Sequence, residues 1–191
     1  MEKDLLNSVK RTVKYWWVSL LIGVIAVLLG IWCIAAPLTT ITVLSALFVA
    51  AFFISGIFEI FYAVSNRESL DGWGWSLASG IISVIFAILL IALPFESIFV
   101  FIFFIGFWIM FQSFWGIGVS IDLQKSGVSG WGWILALAVM GIILAILLIV
   151  NPAFATGFIV AIFSVTLMVY GALRIYYAIK LKNIYNKIDN I

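Results

Sequence analysis

Two ionisable residues, Glu59 and Arg174, stand inside apolar stretches of the sequence and are the first candidates for chemistry. Each follows a proline at the same distance along the chain, Glu59 after Pro37 and Arg174 after Pro152. An ionisable side chain in the middle of a membrane helix costs about 2.5–3.5 kcal/mol on insertion scales, so such residues tend to be paired or functional. The acid and the base therefore require a specific explanation.

Three explanations stay open for these charges. In the first, Glu59 and Arg174 form a structural ion pair that joins the first and last parts of the chain. In the second, each side chain extends separately to an interface, and Lys180 follows Arg174 by less than two helical turns. In the third, either charge takes part in transport. The ion pair is our working hypothesis.

The residue types that most often carry catalysis are missing or scattered. The sequence has no histidine, which removes the commonest general base and metal ligand. It has no Gly-rich phosphate loop and no nucleophile in a recognisable triad. Cys33 is the single cysteine, and we interpret it as a buried thiol. We expect no enzymatic activity, no metal and no cofactor, and the basic residues are too few for nucleic-acid binding.

The composition places the chain in a lipid bilayer. Hydrophobic residues make up 66% of the 191, charged residues 9%, and the mean hydropathy is +1.30. Apolar runs of about 20 residues match a hydrocarbon core about 30 Å thick. Six such runs occupy about residues 16–36, 41–64, 73–93, 97–119, 131–150 and 154–179. The sequence predicts an all-α integral membrane protein with six transmembrane helices.

The six helices form a threefold internal repeat. Three segments of equal length, each running from a tryptophan to a proline, begin at nearly even intervals along the chain: Trp16–Pro37, Trp73–Pro94 and Trp131–Pro152. A second apolar run follows each proline. The chain is therefore predicted to consist of three parallel-repeat helical hairpins, at about residues 15–64, 73–121 and 131–179, between tails at 1–14 and 180–191.

Basic residues mark one side of the predicted membrane domain. Nine of the ten lie in the tails or in the two loops that connect hairpins, and the turns at the prolines carry none. By the positive-inside rule, we expect both termini to lie in the cytoplasm. Trp16, Trp73 and Trp131 serve as interface anchors, and residues 1–14 are predicted to form a surface helix.

A stripe of small residues follows one face of the first helix of each hairpin, with spacings of 4, 3 and 4. Eleven of its twelve positions are small: Ser19, Gly23, Ala26, Gly30, Ser76, Gly80, Ser83, Ala87, Ala138, Gly141 and Ala145. Membrane helices associate by close backbone packing, which small side chains permit. We interpret the small-residue stripe as a helix-packing surface, with a pore lining as the alternative.

The second helices carry a short signature in which a glycine precedes a charge by three residues and an isoleucine follows the charge. It is GIFEI at Gly56–Ile60 and GALRI at Gly171–Ile175. With the tripled Trp-to-Pro unit, whose first copy carries Trp16, Gly23, Gly30 and Pro37, this pattern resembles the HdeD-type acid-resistance membrane proteins over about residues 15–180. The middle repeat departs from it, with SFWGI at Ser113–Ile117. The resemblance implies a cytoplasmic-membrane protein associated with resistance to acid or related stress, without catalytic residues.

Two classes of function follow. The first is a non-enzymatic membrane protein of stress resistance that acts by packing or by assembly with a partner. The second is a small channel or transporter for protons, ions or small solutes, although mid-membrane polar residues are scarce. The lipid bilayer is the expected partner, and the sequence leaves open whether a second copy or another membrane protein also binds.

The ion-pair hypothesis makes a prediction about charge exchange. Glu59→Gln or Arg174→Gln alone should lower the thermal unfolding temperature more than the double exchange Glu59→Arg with Arg174→Glu, because the exchange restores a pair. Unfolding of the purified variants measures this difference. Equal damage from all three changes would contradict the hypothesis.

Overall fold

The computed structural model describes residues 16–68 and 72–189, and all of its regular structure in these ranges is helical. Six helices follow one another: α1 Trp16–Ala35, α2 Pro37–Ser65, α3 Trp73–Ala92, α4 Pro94–Lys125, α5 Trp131–Val150 and α6 Pro152–Asp189. All six are long and apolar enough to cross a membrane, which confirms the predicted fold class. The surface helix predicted for residues 1–14 lies outside the described residues.

Proline begins each even-numbered helix. A single residue separates it from the preceding helix: Ala36, Leu93 or Asn151. Proline suits the first helical position because its fixed φ is helical and its missing N–H would have no partner there. The even helices therefore start two to four residues earlier than the hydropathy runs suggest. Asn151 also caps α6, since its Oδ1 accepts a hydrogen bond of 3.0 Å from the Phe154 amide.

Glycine precedes α3 and α5. Gly72 and Gly130 have φ values of 85° and 101°, in the left-handed region that a side chain disfavours. Each places a tryptophan at the first position of the helix that follows. The backbone conformation thus explains the glycine that precedes the tryptophan in both loops.

The outer surfaces of the helices are apolar. Only 17–22% of the most hydrophobic part of each span is buried within the protein. Side chains such as Leu28, Phe111 and Leu137 are more than half exposed. A soluble protein does not present so much contiguous apolar surface, and a bilayer solvates it directly. The fold is that of a multi-pass membrane protein.

The described residues divide into two compact units. One consists of α1 with the following residues to Pro37, together with α6 from Phe158 onward. The other consists of residues 38–157, which hold α3, α4, α5, nearly all of α2 and the first turns of α6. Each unit contains contacts between its own helices, and the same kind of glycine contact occurs in both units.

In the larger unit, α2 and α3 make a close contact through two glycines. A methyl group built on Gly80 would lie 2.9 Å from the carbonyl oxygen of Gly56 and 2.8 Å from Ile60. A methyl group built on Gly56 would in turn lie 2.9 Å from the carbonyl oxygen of Gly80. Real Cβ atoms do not approach other atoms so closely, so only glycine permits this crossing.

The smaller unit contains the same contact between α6 and α1. A methyl group on Gly23 would lie 2.8 Å from the carbonyl oxygen of Gly171, and one on Gly171 would lie 2.6 Å from that of Gly23. Gly23 occupies the repeat position of Gly80, and Gly171 that of Gly56. The first and last helices of the chain thus pack as α3 and α2 do.

The even helices bury the same five positions in every repeat, counted from the proline that begins each helix. These are Thr40, Ser45, Val49, Gly56, Ala63; Ser97, Ile102, Gly106, Ser113, Ser120; and Ala155, Val160, Ser164, Gly171, Ala178. The last four of the five are spaced 4, 7 and 7 residues apart, which keeps them on one helix face, whereas the first lies on another side of the helix close to its proline. All but three are glycine, alanine, serine or threonine, so neighbouring backbones approach closely.

Gly80 and Gly118 offer a matched comparison of this packing. Gly80→Ala should lower the free energy of unfolding by about 1–3 kcal/mol, because its methyl group meets backbone atoms of α2. Gly118→Ala, in α4, should be neutral or stabilising by up to about 1 kcal/mol, because nothing lies within 4 Å of the added methyl group. Denaturant unfolding of the purified variants measures both values. Equal effects of the two substitutions would show that the close crossing is unimportant.

Candidate functional site

The signature of the even helices is explained by packing on either side of the charge. In α2, Gly56 and Ile60 both contact the α3 helix at Gly80. In α6, Gly171 and Ile175 contact α1 at Gly23 in the same way. The glycine and the isoleucine therefore hold the neighbouring odd helix, and the charged residue between them lies at the edge of that contact.

The charged position lies on the side of the even helix that faces its odd neighbour. In the middle repeat this position is Gly116, and a methyl group built on it would lie 3.2 Å from the Cβ of Ala138 in α5. Glu59 and Arg174 occupy the equivalent position in α2 and α6, and both are half-buried. This location is the candidate functional site of each repeat.

Arg174 is held by a tyrosine one turn earlier on its own helix. Its Nε–H donates a hydrogen bond of 2.9 Å to the hydroxyl of Tyr170, and its guanidinium carbon lies 5.3 Å from the centroid of that ring. The backbone carbonyl of Arg174 accepts a hydrogen bond of 3.5 Å from the Ser19 hydroxyl of α1. The side chain is thus oriented beside the α1–α6 crossing.

Glu59 has no such partner, since the described part of the chain gives its carboxylate no hydrogen bond and no ion pair. Glu59 and Arg174 belong to different compact units. The ion pair between them therefore stays a prediction. The surface ion pair that the structure does describe, Arg67 with Glu68 at 3.8 Å, is exposed and contributes little to stability.

The glycine of the middle repeat leaves a groove where the other repeats have a charged side chain. A cavity of about 450 Å³ lies between α4 and α5. Its lining consists of Trp108, Ile109, Gln112, Ser113, Gly116, Ile134, Leu137 and Ala138. Gln112 is exposed, and the Ser113 hydroxyl donates to the Ile109 carbonyl of its own helix at 2.7 Å. The groove is therefore mainly apolar.

The crossing of α4 and α5 uses a different pair of residues from the glycine contact of the other two crossings. Ser113 replaces the glycine of the other repeats, and the structure compensates with Gly141, because a Cβ there would collide with the Ser113 hydroxyl. Nearer the loop, the Ser120 hydroxyl donates a hydrogen bond of 2.9 Å to the carbonyl of Trp131. The Ser120 hydroxyl thus connects the two helices at the end next to their loop.

All members of the small-residue stripe are at least half-buried. Seven are fully buried: Gly23, Ala26, Gly30, Gly80, Ala87, Ala138 and Ala145. Four are half-buried: Ser19, Ser76, Ser83 and Gly141. The stripe contacts the even helix of the preceding repeat or, for α1, of the last repeat. Trp16 and Trp131 are half-buried and Trp73 is 39% exposed, so each presents part of its ring outward.

A second cavity lies where three even helices begin. It has a volume of about 370 Å³ and is lined by Leu38, Ile41, Thr42, Phe95, Ile98, Phe99, Ile102, Pro152, Ala153 and Thr156. Its two hydroxyls, on Thr42 and Thr156, donate to the carbonyls of Leu38 and Pro152 on their own helices. Within the described residues, no three metal-ligating side chains lie together here or elsewhere.

The fold and these sites define a class first: an all-helical, multi-pass membrane protein made of three repeats of one helix pair. The model of the short repeat of unknown function, DUF308, matches residues 21–92, 78–149 and 136–188, and the chain belongs to this family. The starting points of the three matches keep the period of the three tryptophans. No curated protein and no solved structure matches the sequence.

Tyr170 is the site residue that sequence reasoning missed. The signal was present, because Tyr170 and Arg174 are four residues apart and residues at that spacing meet on a helix surface. The repeat comparison obscured it, since the corresponding residues are Ser55 and Gln112. The third repeat therefore differs from the others in two neighbouring positions.

Ser113 and Gly141 should be energetically coupled. Gly141→Ala should lower the free energy of unfolding, because its methyl group meets the Ser113 hydroxyl. Adding Ser113→Gly, the residue of the other two repeats, should recover about 1 kcal/mol or more by removing that overlap. A double-mutant cycle on unfolding free energies measures the coupling. Additive effects of the two substitutions would mean that the two residues do not share a contact.

Proposed function

We propose that this protein is a non-enzymatic structural protein of the cell membrane, HdeD-like, that supports resistance to acid or another membrane stress. Its role is to form a rigid, closely packed helical body in the bilayer, alone or in assembly with a membrane partner. The resemblance to the acid-resistance proteins suggests the stress. The packing suggests the mode of action.

The observation that carries this proposal is the glycine contact, which occurs with equivalent residues between α2 and α3 and between α6 and α1. Helices that meet through their backbones lose little side-chain entropy on packing and gain extensive van der Waals contact. The fully buried polar side chains of the described residues are hydroxyls only, and none is charged. Such an interior favours mechanical stability over passage of a solute.

The proposed orientation places both termini and the two loops that connect the hairpins in the cytoplasm. The support is the distribution of lysine and arginine, which avoid the proline turns entirely. Aromatic rings lie beside lysines at the start of α1 and toward the end of α6, which is the proposed cytoplasmic side. Lys182 Nζ lies 5.1 Å from the Trp16 ring centroid, and Lys180 Nζ lies 5.0 Å from the Tyr176 ring centroid. Such pairs suit the headgroup region of a bilayer.

A channel or transporter is the alternative function, and the cavity at the start of α2, α4 and α6 is the observation in its favour. One helix from each of the three repeats lines this cavity, as helices would line a path for ions or solutes. Its lining is mainly apolar, however, and its threonine hydroxyls are satisfied within their own helices. Glu59 would be the ionisable residue of such a path.

Stress survival tests the proposed role. Deletion of the gene should reduce survival of the native host after an acid shock, and the wild-type gene should restore it. Gly80→Ala should restore survival poorly because it disturbs the α2–α3 crossing, whereas Gly118→Ala should restore it fully. Unchanged survival of the deletion strain across acid, osmotic and detergent stress would contradict the proposal.

Flux measurements separate the two functions. Proteoliposomes given a pH step should show no proton or ion flux above empty liposomes, and Glu59→Gln should behave like the wild type. A flux that requires Glu59 would establish the channel function and make that carboxylate its site.

A further inference from the structure

We propose that the edge of the α1–α6 crossing is a binding site for the phosphate of a membrane phospholipid, with the guanidinium of Arg174 as its ligand. The site consists of Trp16 and Ser19 from α1 and Tyr170, Arg174 and Lys182 from α6, and it is called the Arg174 site below. The inference requires only that the protein spans a bilayer. It does not depend on a role in stress.

The depth of Arg174 suits a headgroup. Pro152 begins α6, and Arg174 lies toward the other end of the same helix. At about 1.5 Å per residue, the helix between them is about 33 Å long, slightly more than the hydrocarbon thickness of about 30 Å. The carbonyl of Arg174 accepts from Ser19, one turn inside Trp16 on α1. The guanidinium therefore lies at the boundary where lipid phosphates begin.

The hydrogen bonds of Arg174 leave its anion-binding groups available. Nε–H is used by the Tyr170 hydroxyl, which fixes the plane of the guanidinium. The described part of the chain gives the two terminal amino groups no acceptor. A guanidinium carries five N–H donors, and its planar fork matches the oxygens of a phosphate. At the edge of the hydrocarbon, a lipid phosphate is the nearest abundant acceptor.

The charges around the Arg174 site complement an anion. Lys182 is held over the ring of Trp16, with 5.1 Å between Nζ and the ring centroid, so a second positive charge belongs to the same two helices. No carboxylate occurs between residues 16 and 35 or between residues 158 and 182. The charged side chains of these two helices within residues 16–35 and 158–182 are therefore all basic, and two aromatic rings beside Arg174 and Lys182 supply surfaces for the glycerol region.

The other two repeats show why the site is unique within the chain. The three positions occupied by Tyr170, Arg174 and Lys182 hold serine, glutamate and arginine in the first repeat. In the second repeat they hold glutamine, glycine and glutamine. In the first repeat, Glu59 repels a phosphate. In the second repeat, the site next to Gly116 is a neutral cavity of about 450 Å³. One repeat out of three has the residues for an anionic lipid.

Lipid binding to the full-length protein in detergent tests the proposal. Native mass spectrometry should show one phosphatidylglycerol bound about tenfold or more tightly than diacylglycerol with the same acyl chains, which lacks the phosphate. Arg174→Gln should abolish this preference, and Arg174→Lys should keep part of it, because a lysine retains the charge without the fork. Arg67→Gln, which removes an exposed positive charge from the first repeat, should leave the preference unchanged.

A gain-of-function variant keeps the test decisive if Arg174→Gln does not fold. Gly116→Arg combined with Gln112→Tyr places the same tyrosine and arginine beside the empty groove of the middle repeat. This variant should bind a second phosphatidylglycerol, whereas Gly116→Leu should not. If the folded variant does not bind a second lipid, the assignment of Arg174, oriented by Tyr170, as the phosphate ligand is overturned.

Three other results would also overturn the proposal. Phosphate preference that survives Arg174→Gln, or that falls equally with Arg67→Gln, would show that the arginine is not the ligand. Displacement of the lipid by millimolar inorganic phosphate would assign the site to a free anion. Tighter lipid binding in Glu59→Gln would show that Glu59 occupies Arg174 in the native protein, as the ion-pair hypothesis holds.

Discussion

The approach of two helix backbones through glycine is the constraint on which the rest of this structure depends. Lipid tails are as apolar as leucine, so burying an aliphatic side chain between helices gains little in a membrane. Attraction must come from close van der Waals contact, and that requires positions without side chains. The contact of Gly56 with Gly80 and that of Gly171 with Gly23 meet this requirement with residues at equivalent repeat positions. The isoleucine of the signature then fills the space beside each crossing.

The glycine contact separates the fold of each repeat from its chemistry. The position between the glycine and the isoleucine lies at the edge of the crossing, where it is half-buried in each repeat. One repeat carries an acid there, one a base and one neither. The three crossings nevertheless form. A repeat of this kind can therefore acquire or lose a charged site without a change of scaffold.

Hydropathy and period were sufficient to predict six helices in three hairpins, because a spanning helix has a length set by the bilayer and a composition set by lipid. The helix starts were less accurate, since a proline after an apolar run ends one helix and can also begin the next, as Pro94 does. The small-residue stripe could be found from spacing, but its partner could not. Gly23 is compatible with close approach to any helix, and only the three-dimensional structure matches it with Gly171, near the other end of the chain.

The packing unit and the sequence repeat are out of phase by one helix. The sequence repeats an odd helix followed by an even helix, whereas the glycine contact joins an even helix to the odd helix of another repeat. A single hairpin would thus carry the two complementary halves of this interface on different helices, as the subunit of a head-to-tail oligomer does. Three separate copies of such a hairpin would have to find one another in the membrane. Fusion into one chain replaces that bimolecular search with tethered partners at high effective concentration, and it lets each copy diverge on its own.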